Sequence, residues 1–200
     1  MKVFHDFIFP THIVISQIED FDEYKKDLLN YVNTLENTHV ERSPGPGSED
    51  SWRSQCMFHE DPLFSFYRDR FLHQIDNTVK QFGLSHELYI DGSWVVRNKP
   101  GSYLKTHVHS DCVLSGVLWL SVPENSGNLT FLNTNSWVSS DLFDTSSDHF
   151  RQTYNMYSNY SYQPIEGKMV IFPAYLPHSV EQNRSSEDRI SITFNLSKYK

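Results

Sequence analysis

The stretch 101-GSYLKTHVHSDCVLSG-116 decides how the rest of the chain is read, because it places His107 and His109 at positions i and i+2. On a β-strand, residues two apart point to the same face, so both imidazoles can aim at one point. Downstream, "PHSV" (177–180) adds His178, and "RISITFN" (189–195) adds a permanent cation at Arg189. Histidine binds transition metals through a neutral ring nitrogen. Three such ligands beside a carboxylate-binding arginine describe a metal site with a bound acid. An HxH pair alone is a weak signal, since ten histidines in 200 residues produce such pairs by accident. The distant partners make it specific.

The segment "RISITFN" alternates, with Arg189, Ser191, Thr193 and Asn195 on one face and Ile190, Ile192 and Phe194 on the other. An ordinary one-sided strand alternates too, with its apolar set turned inward. If the polar set points inward instead, it lines a wet cavity beside His178. The planar fork of arginine matches a carboxylate bidentately, and Ser191 adds a hydroxyl donor two residues on. Such a charge-assisted contact contributes about 1.5–3 kcal/mol, enough to hold one end of a dicarboxylate while the other chelates a metal.

Bulk properties set bounds. Two hundred residues suit one domain able to bury a sizeable core. Lys and Arg number 17 against 25 Asp and Glu, a net charge of −8, which argues against general nucleic-acid binding. Cys56 and Cys112 form no CxxC pair, so neither a disulfide scaffold nor a thiolate zinc site is indicated. The N-terminal "MKVFHDFIFPTHIVIS" is interrupted by His5, Asp6, Pro10 and His12 and has no signal-peptide core. No run has the apolar length of a membrane span. A cytoplasmic protein is the default expectation, and a homodimer is compatible with the sequence.

Residues 2–18 read as two short strands broken at Pro10. Asp20 stands as an N-cap with Glu23 three positions on, and Phe21, Tyr24, Leu28, Tyr31 and Leu35 give an amphipathic helix to about residue 37. The segment 41–50 is a loop. A second helix fits about 61–82, with a stripe of Phe64, Tyr67, Phe71, Ile75, Val79 and Phe82, terminated by Gly83. After Gly83 no segment reads as a helix. "LYIDGSWVVRN", "YLKTHVH", "VLSGVLWLSV", "NLTFLN", "KMVIFPA" and "RISITFNL" suit strands separated by turns. Residues 133–164 form a long polar and aromatic insertion, in which Trp137, Tyr154, Tyr157, Tyr160 and Tyr162 can stack on a substrate or pack the loop down. The expected architecture is mainly β with flanking α: strands and helices of 1–83 packed on a jelly-roll core of 84–200, in one domain.

Two blocks, G-x5-H-x-H from Gly101 and G-x5-P-x4-H from Gly167 through Pro173 to His178, match cupin-type barrels in the right order. The wider segment "WVVRNKPGSYLKTHVHSDCVLSGVLWLSVP…GNLTF", followed by "PIEGKMVIFPAYLPHSV…RISITFNL", resembles the 2-oxoglutarate/Fe(II)-dependent oxygenases of marine bacteria and their phages. The resemblance covers most of the chain from about residue 90. It implies a double-stranded β-helix, Fe(II), 2-oxoglutarate and O2, and hydroxylation of an unidentified substrate with release of succinate and CO2. Position by position, His107, His109 and His178 match the metal ligands, Arg189 and Ser191 the pair that binds the distal carboxylate, and Tyr103 a cosubstrate-contacting aromatic.

Two metal registers are open. His107-Val-His109 with His178 gives a three-histidine site, whereas His109-Ser-Asp111 with His178 gives the more usual two-histidine, one-carboxylate triad. The resemblance favours the first, leaving Asp111 to orient an imidazole. Cys112 falls out of register with the two histidines and reads as a small core residue, and Trp94 and Trp119 read as barrel packing. A cupin-like three-histidine metalloenzyme that does not use 2-oxoglutarate would have no use for Arg189 and Ser191. A jelly-roll binding module would hold neither iron nor cosubstrate.

Overall fold

The computed structural model describes residues 2, 10–38, 51–54, 57–134 and 145–199. Its described elements run β1 (Val14–Gln17), α1 (Phe21–Thr38), β2 (Trp52–Arg53), α2 (Ser65–Lys80), β3 (Leu88–Asn98), β4 (Leu104–His107), β5 (Leu114–Ser121), β6 (Leu129–Leu132), α3 (Asp148–Tyr154), β7 (Asn159–Tyr162), β8 (Lys168–Pro173), β9 (His178–Val180) and β10 (Arg189–Lys198). The first N-terminal strand and the 41–50 loop expected from the sequence lie outside the described residues, as do Cys56 and Trp137.

The strands form two antiparallel sheets. The major sheet has the order β1-β8-β5-β10-β3-β2 and the minor sheet β4-β9-β6-β7. From β3 to β10 the chain passes back and forth between them, with β6 and β7 joined within the minor sheet, which is the winding of a double-stranded β-helix. The expected mainly-β jelly roll with flanking helices is the fold observed. No helix among the described residues is long and apolar enough to cross a membrane.

The period of two in each strand sorts side chains between two interiors. Even positions of β10 (Ile190, Ile192, Phe194, Leu196) and β5 (Leu114, Leu118, Leu120), with Val95, Met169 and Ile171, face outward from the barrel. They pack against Phe21, Leu28, Tyr31, Val32 and Leu35 of α1 and Phe71 and Ile75 of α2. The alternate positions turn into the barrel, where Trp119, Val170 and Phe172 meet Leu129, Phe131 and Leu176. The helices therefore act as a cover for the major sheet, and the interior is left for the polar set of β10.

Local boundaries differ from the sequence reading in instructive ways. The second helix begins at Ser65 rather than 61, because Asp61 accepts the amide of Leu63 and caps a separate 3-10 turn over Pro62–Phe64. Tyr31 donates its hydroxyl to the same Asp61 at 2.9 Å. Asp20 precedes α1, and its carboxylate pairs with Arg70 of α2. The insertion is not without regular structure: Ser147 caps the short helix α3, and Asn159–Tyr162 pairs with β6 as an edge strand.

Gly116 of β5 lies under the ring of Phe194 on β10, and a Cβ placed there would meet that ring at 2.3 Å. The ring in turn meets Phe71 of α2 edge-on at 5.6 Å, so it has nowhere to retreat. Gly116→Ala is expected to lower unfolding stability by about 1–3 kcal/mol through overpacking, read as a lower urea midpoint with an unchanged slope.

Candidate active site

His107 and His178 are direct cross-strand partners on β4 and β9. His109 stands past the end of β4, where its backbone N–H donates to Ala174 O at 2.9 Å. That bond, rather than continued strand pairing, returns its ring to the other two. The ring centroids of His107 and His178 are 4.3 Å apart, and those of His109 and His178 are 5.2 Å apart and stacked. One ligand nitrogen from each of the three lies within 4.8 Å of the others. Among the described residues no other group of His, Cys, Asp or Glu is arranged to hold a metal ion.

The protonation of these rings is set by their neighbours. His107 Nδ1 is 2.8 Å from Lys105 O, and His178 Nδ1 is 2.9 Å from Leu176 O. A carbonyl can only accept, so each Nδ1 donates, and in the neutral ring each Nε2 is left with the lone pair. Nε2 of His109 is buried and has no hydrogen-bond partner. Burial pushes His109 down to about 4 and, against the opposing hydrogen bond to Leu176 O, His178 down to about 3. The buried pair is therefore neutral at physiological pH, the form a transition metal requires. Three lone-pair nitrogens, one of them orphaned, fit a divalent metal.

These rings form part of the wall of a 450 Å³ cavity between the two sheets. The cavity is also lined by Arg189, Ser191, Thr193 and Asn195, so the polar face of β10 does point inward. Arg189 is 2% exposed. It donates through Nη1 to Ser126 O (2.8 Å) and Gly127 O (2.9 Å), and through Nη2 to Asn98 Oδ1 (2.9 Å). Its Nε–H is buried without a partner, and burial lowers the guanidinium to about 10. Gly127 has φ +86°, and a Cβ there would strike Glu181 O at 2.4 Å, so only glycine lets this turn offer its carbonyl to the arginine.

Two sequence-derived site residues fall elsewhere. Tyr103 does not line this cavity; it is 39% exposed and lines a separate shallow groove with Lys105 and Thr106. The reason is a register shift in β4, where Leu104 pairs with Val180 but His107 pairs with His178. Three steps on one strand match two on the other, so the parity flips and Leu104 takes the cavity-facing position. Asp111 is exposed, accepts the Ser110 hydroxyl at 3.1 Å and is not part of the histidine cluster. Cys112 is held as a thiol near 11 by burial and by Asp91 and Asp111.

Other lining residues were not legible as site residues. Trp94 and Trp119 line the cavity rather than serving packing alone. Arg53 lays its guanidinium 4.0 Å from the Trp94 ring centroid, and the His109 ring centroid is 6.3 Å from that of Trp94. Among the insertion aromatics, Tyr157, Tyr160 and Tyr162 contact one another in series, and none of them lines the cavity. Loss of an outer hydrogen bond to a metal-binding histidine already costs about 10–100-fold in affinity. His109→Ala is therefore expected to weaken Co(II) binding by more than about tenfold, in competition with a chromogenic chelator. Asp111→Ala is expected to bind Co(II) as the native chain does.

The model of the family described as "Putative 2OG-Fe(II) oxygenase" matches residues 92–195, just over half of the chain. A sequence search of curated proteins returns no match. Solved structures share the fold at low identity. A prolyl-4-hydroxylase from Pseudomonas putida superposes with TM-score 0.61 and 16% identity over 93% of each chain. A non-heme alpha-ketoglutarate-dependent carbocyclase from nogalamycin biosynthesis gives 0.66 and 12%, over 94% of this chain and 80% of that one. HygX from Streptomyces hygroscopicus, solved with nickel and 2-oxoglutarate bound, gives 0.62 and 12%, over 94% and 83%. With the match across the cavity-forming strands, the chain belongs to the 2-oxoglutarate- and Fe(II)-dependent oxygenases.

Proposed function

We propose that this chain is a dioxygenase that binds Fe(II) through His107, His109 and His178, binds 2-oxoglutarate through Arg189 and Ser191, and hydroxylates a small substrate. The observation that carries the reading is Arg189. A buried guanidinium bonded only to neutral oxygens, with Nε–H unpartnered, shares a cavity with three imidazoles carrying free nitrogens. A buried charge without a counter-ion is costly and calls for an anion from outside the protein. Arginine and histidines line the same cavity, as an acid with a carboxylate at one end and a chelating 2-oxo acid at the other would require.

When bound, Fe(II) and 2-oxoglutarate supply the oxidising chemistry with O2, converting the 2-oxo acid to succinate and CO2 as one oxygen atom enters a substrate C–H bond. The chain's own residues bind and orient. Arg189 grips the distal carboxylate, and Ser191, 6% exposed and two residues along the same face, adds a hydroxyl. The Nδ1–H bonds of His107 and His178 to backbone carbonyls hold both rings in place and reserve Nε2 for a metal. Val117, Trp119, Leu129, Phe172 and Val180 give the cavity an apolar wall that limits water. At 450 Å³ the cavity sits toward the small end of ligand sites, which fits the cosubstrate with a small molecule or a single side chain.

A cupin-like enzyme without 2-oxoglutarate leaves the buried Arg189 unexplained. The test is anaerobic: Fe(II) is added, then 2-oxoglutarate, and the visible metal-to-ligand charge-transfer band is recorded. The band is expected with the native chain. Arg189→Met is expected to keep iron but weaken 2-oxoglutarate by about 10–100-fold, the equivalent of a charge-assisted contact. Bound iron without the band would instead favour the cupin-like chemistry, and no iron binding would favour a non-catalytic module.

A further inference from the structure

Asn98 stands directly across the β3–β10 ladder from Arg189 and is 1% exposed. Its side chain has both ends engaged. Oδ1 accepts from Arg189 Nη2 at 2.9 Å, and Nδ2 donates to Ser51 Oγ at 3.0 Å. Its backbone carbonyl is held by Asn183 Nδ2 at 2.9 Å, so neither the main chain nor the amide is free to turn. Asn183 is 1% exposed and ties the same region to Glu187 O.

The guanidinium has five N–H donors in one plane. Nη1 spends its pair on Ser126 O and Gly127 O, and Nη2 spends one on Asn98. What remains is Nε–H, buried and unpartnered, and the second Nη2–H. Among the described residues, every acceptor bonded to the guanidinium is neutral. Glu181 is the acid whose field reaches Arg189, and its carboxylate is taken by the Asn128 amide at 3.1 Å and the Thr130 hydroxyl at 3.2 Å. The cation is thus oriented by three neutral acceptors, while Glu181 acts on it through its field and not through a hydrogen bond.

We propose that Asn98 is a positioning and selectivity residue, holding Arg189 with a neutral acceptor so that the cavity prefers a 2-oxo acid with a distal carboxylate over one without. The inference rests on the reading of the cavity as a 2-oxoglutarate site. Neutrality is the essential property. An aspartate at this position would have the same shape and accept the same Nη2–H, while the Ser51 hydroxyl could turn to donate to it. It would also give Arg189 a permanent counter-ion, in competition with the cosubstrate. Alanine would do the reverse, leaving the charge available but the guanidinium less well held.

The two variants therefore separate positioning from packing. In the anaerobic Fe(II)-loaded protein, the charge-transfer band is titrated with 2-oxoglutarate and with pyruvate, which lacks the distal carboxylate. Asn98→Asp is expected to raise the thermal midpoint, weaken 2-oxoglutarate at least about tenfold, and leave pyruvate within about twofold. Asn98→Ala is expected to lower the midpoint and weaken 2-oxoglutarate by only about threefold. A purely structural role reverses the order of binding, with alanine the weaker 2-oxoglutarate binder of the two variants, and that result overturns the proposal. So does Asn98→Asp binding 2-oxoglutarate with native affinity, or losing both acids equally. If the native chain binds iron but gives no band with 2-oxoglutarate, the cosubstrate reading itself fails, a result distinct from any difference among variants.

Discussion

Strand β10 has to satisfy two interiors at once, and the architecture follows from that constraint. Its even residues are apolar and must be removed from water, while its odd residues are polar and must line a space that admits a ligand. A two-sheet barrel alone would bury the wrong set. Helices α1 and α2 resolve the conflict by covering the outer face of the major sheet, where Ile190, Ile192, Phe194 and Leu196 meet Phe21, Leu28, Phe71 and their neighbours. Each such side chain contributes about 1.5–3 kcal/mol when fully buried. The helical cover thus makes it affordable for the inner face to carry an arginine, a serine, a threonine and an asparagine.

The inner face is organised around charge that the protein does not cancel. The histidine cluster contains no carboxylate, so a bound divalent metal would keep its full positive charge. Arg189 adds a second cation, hydrogen-bonded to backbone carbonyls and Asn98 rather than to an acid. In the proposed reading, a dicarboxylate brings negative charge to both places in one molecule. The apolar stretch of wall between them strengthens these interactions by excluding water. A neutral ligand of similar size would leave the arginine's charge without an anion in the same water-poor cavity.

Much of this was legible in the sequence because it is written in side-chain period. The alternation of "RISITFN", the i, i+2 spacing of His107 and His109, and the later His178 each follow from strand geometry, and the structure brings these histidines together. What escaped is carried by features without a side-chain signature. The register shift in β4 reverses the facing of Tyr103, and no composition cue marks it. The three-residue strand β9 is too short to show a period, though it carries His178. Two of Arg189's acceptors are main-chain carbonyls in a turn, and Asn98 gains its role only from being opposite Arg189 in the ladder. The edge strand β7 reads as loop because Asn159–Tyr162 is only four residues long inside a polar insertion, and it forms by pairing with β6.

The most direct measurement is a crystal structure of the chain grown anaerobically with Mn(II), as a redox-inert substitute for Fe(II), and 2-oxoglutarate. The account predicts anomalous density for the metal between His107, His109 and His178, with the distal carboxylate within hydrogen-bond distance of Arg189 Nε and Nη2. Metal held by Asp111 in place of His107, or a 2-oxoglutarate carboxylate bound away from Arg189, would contradict it.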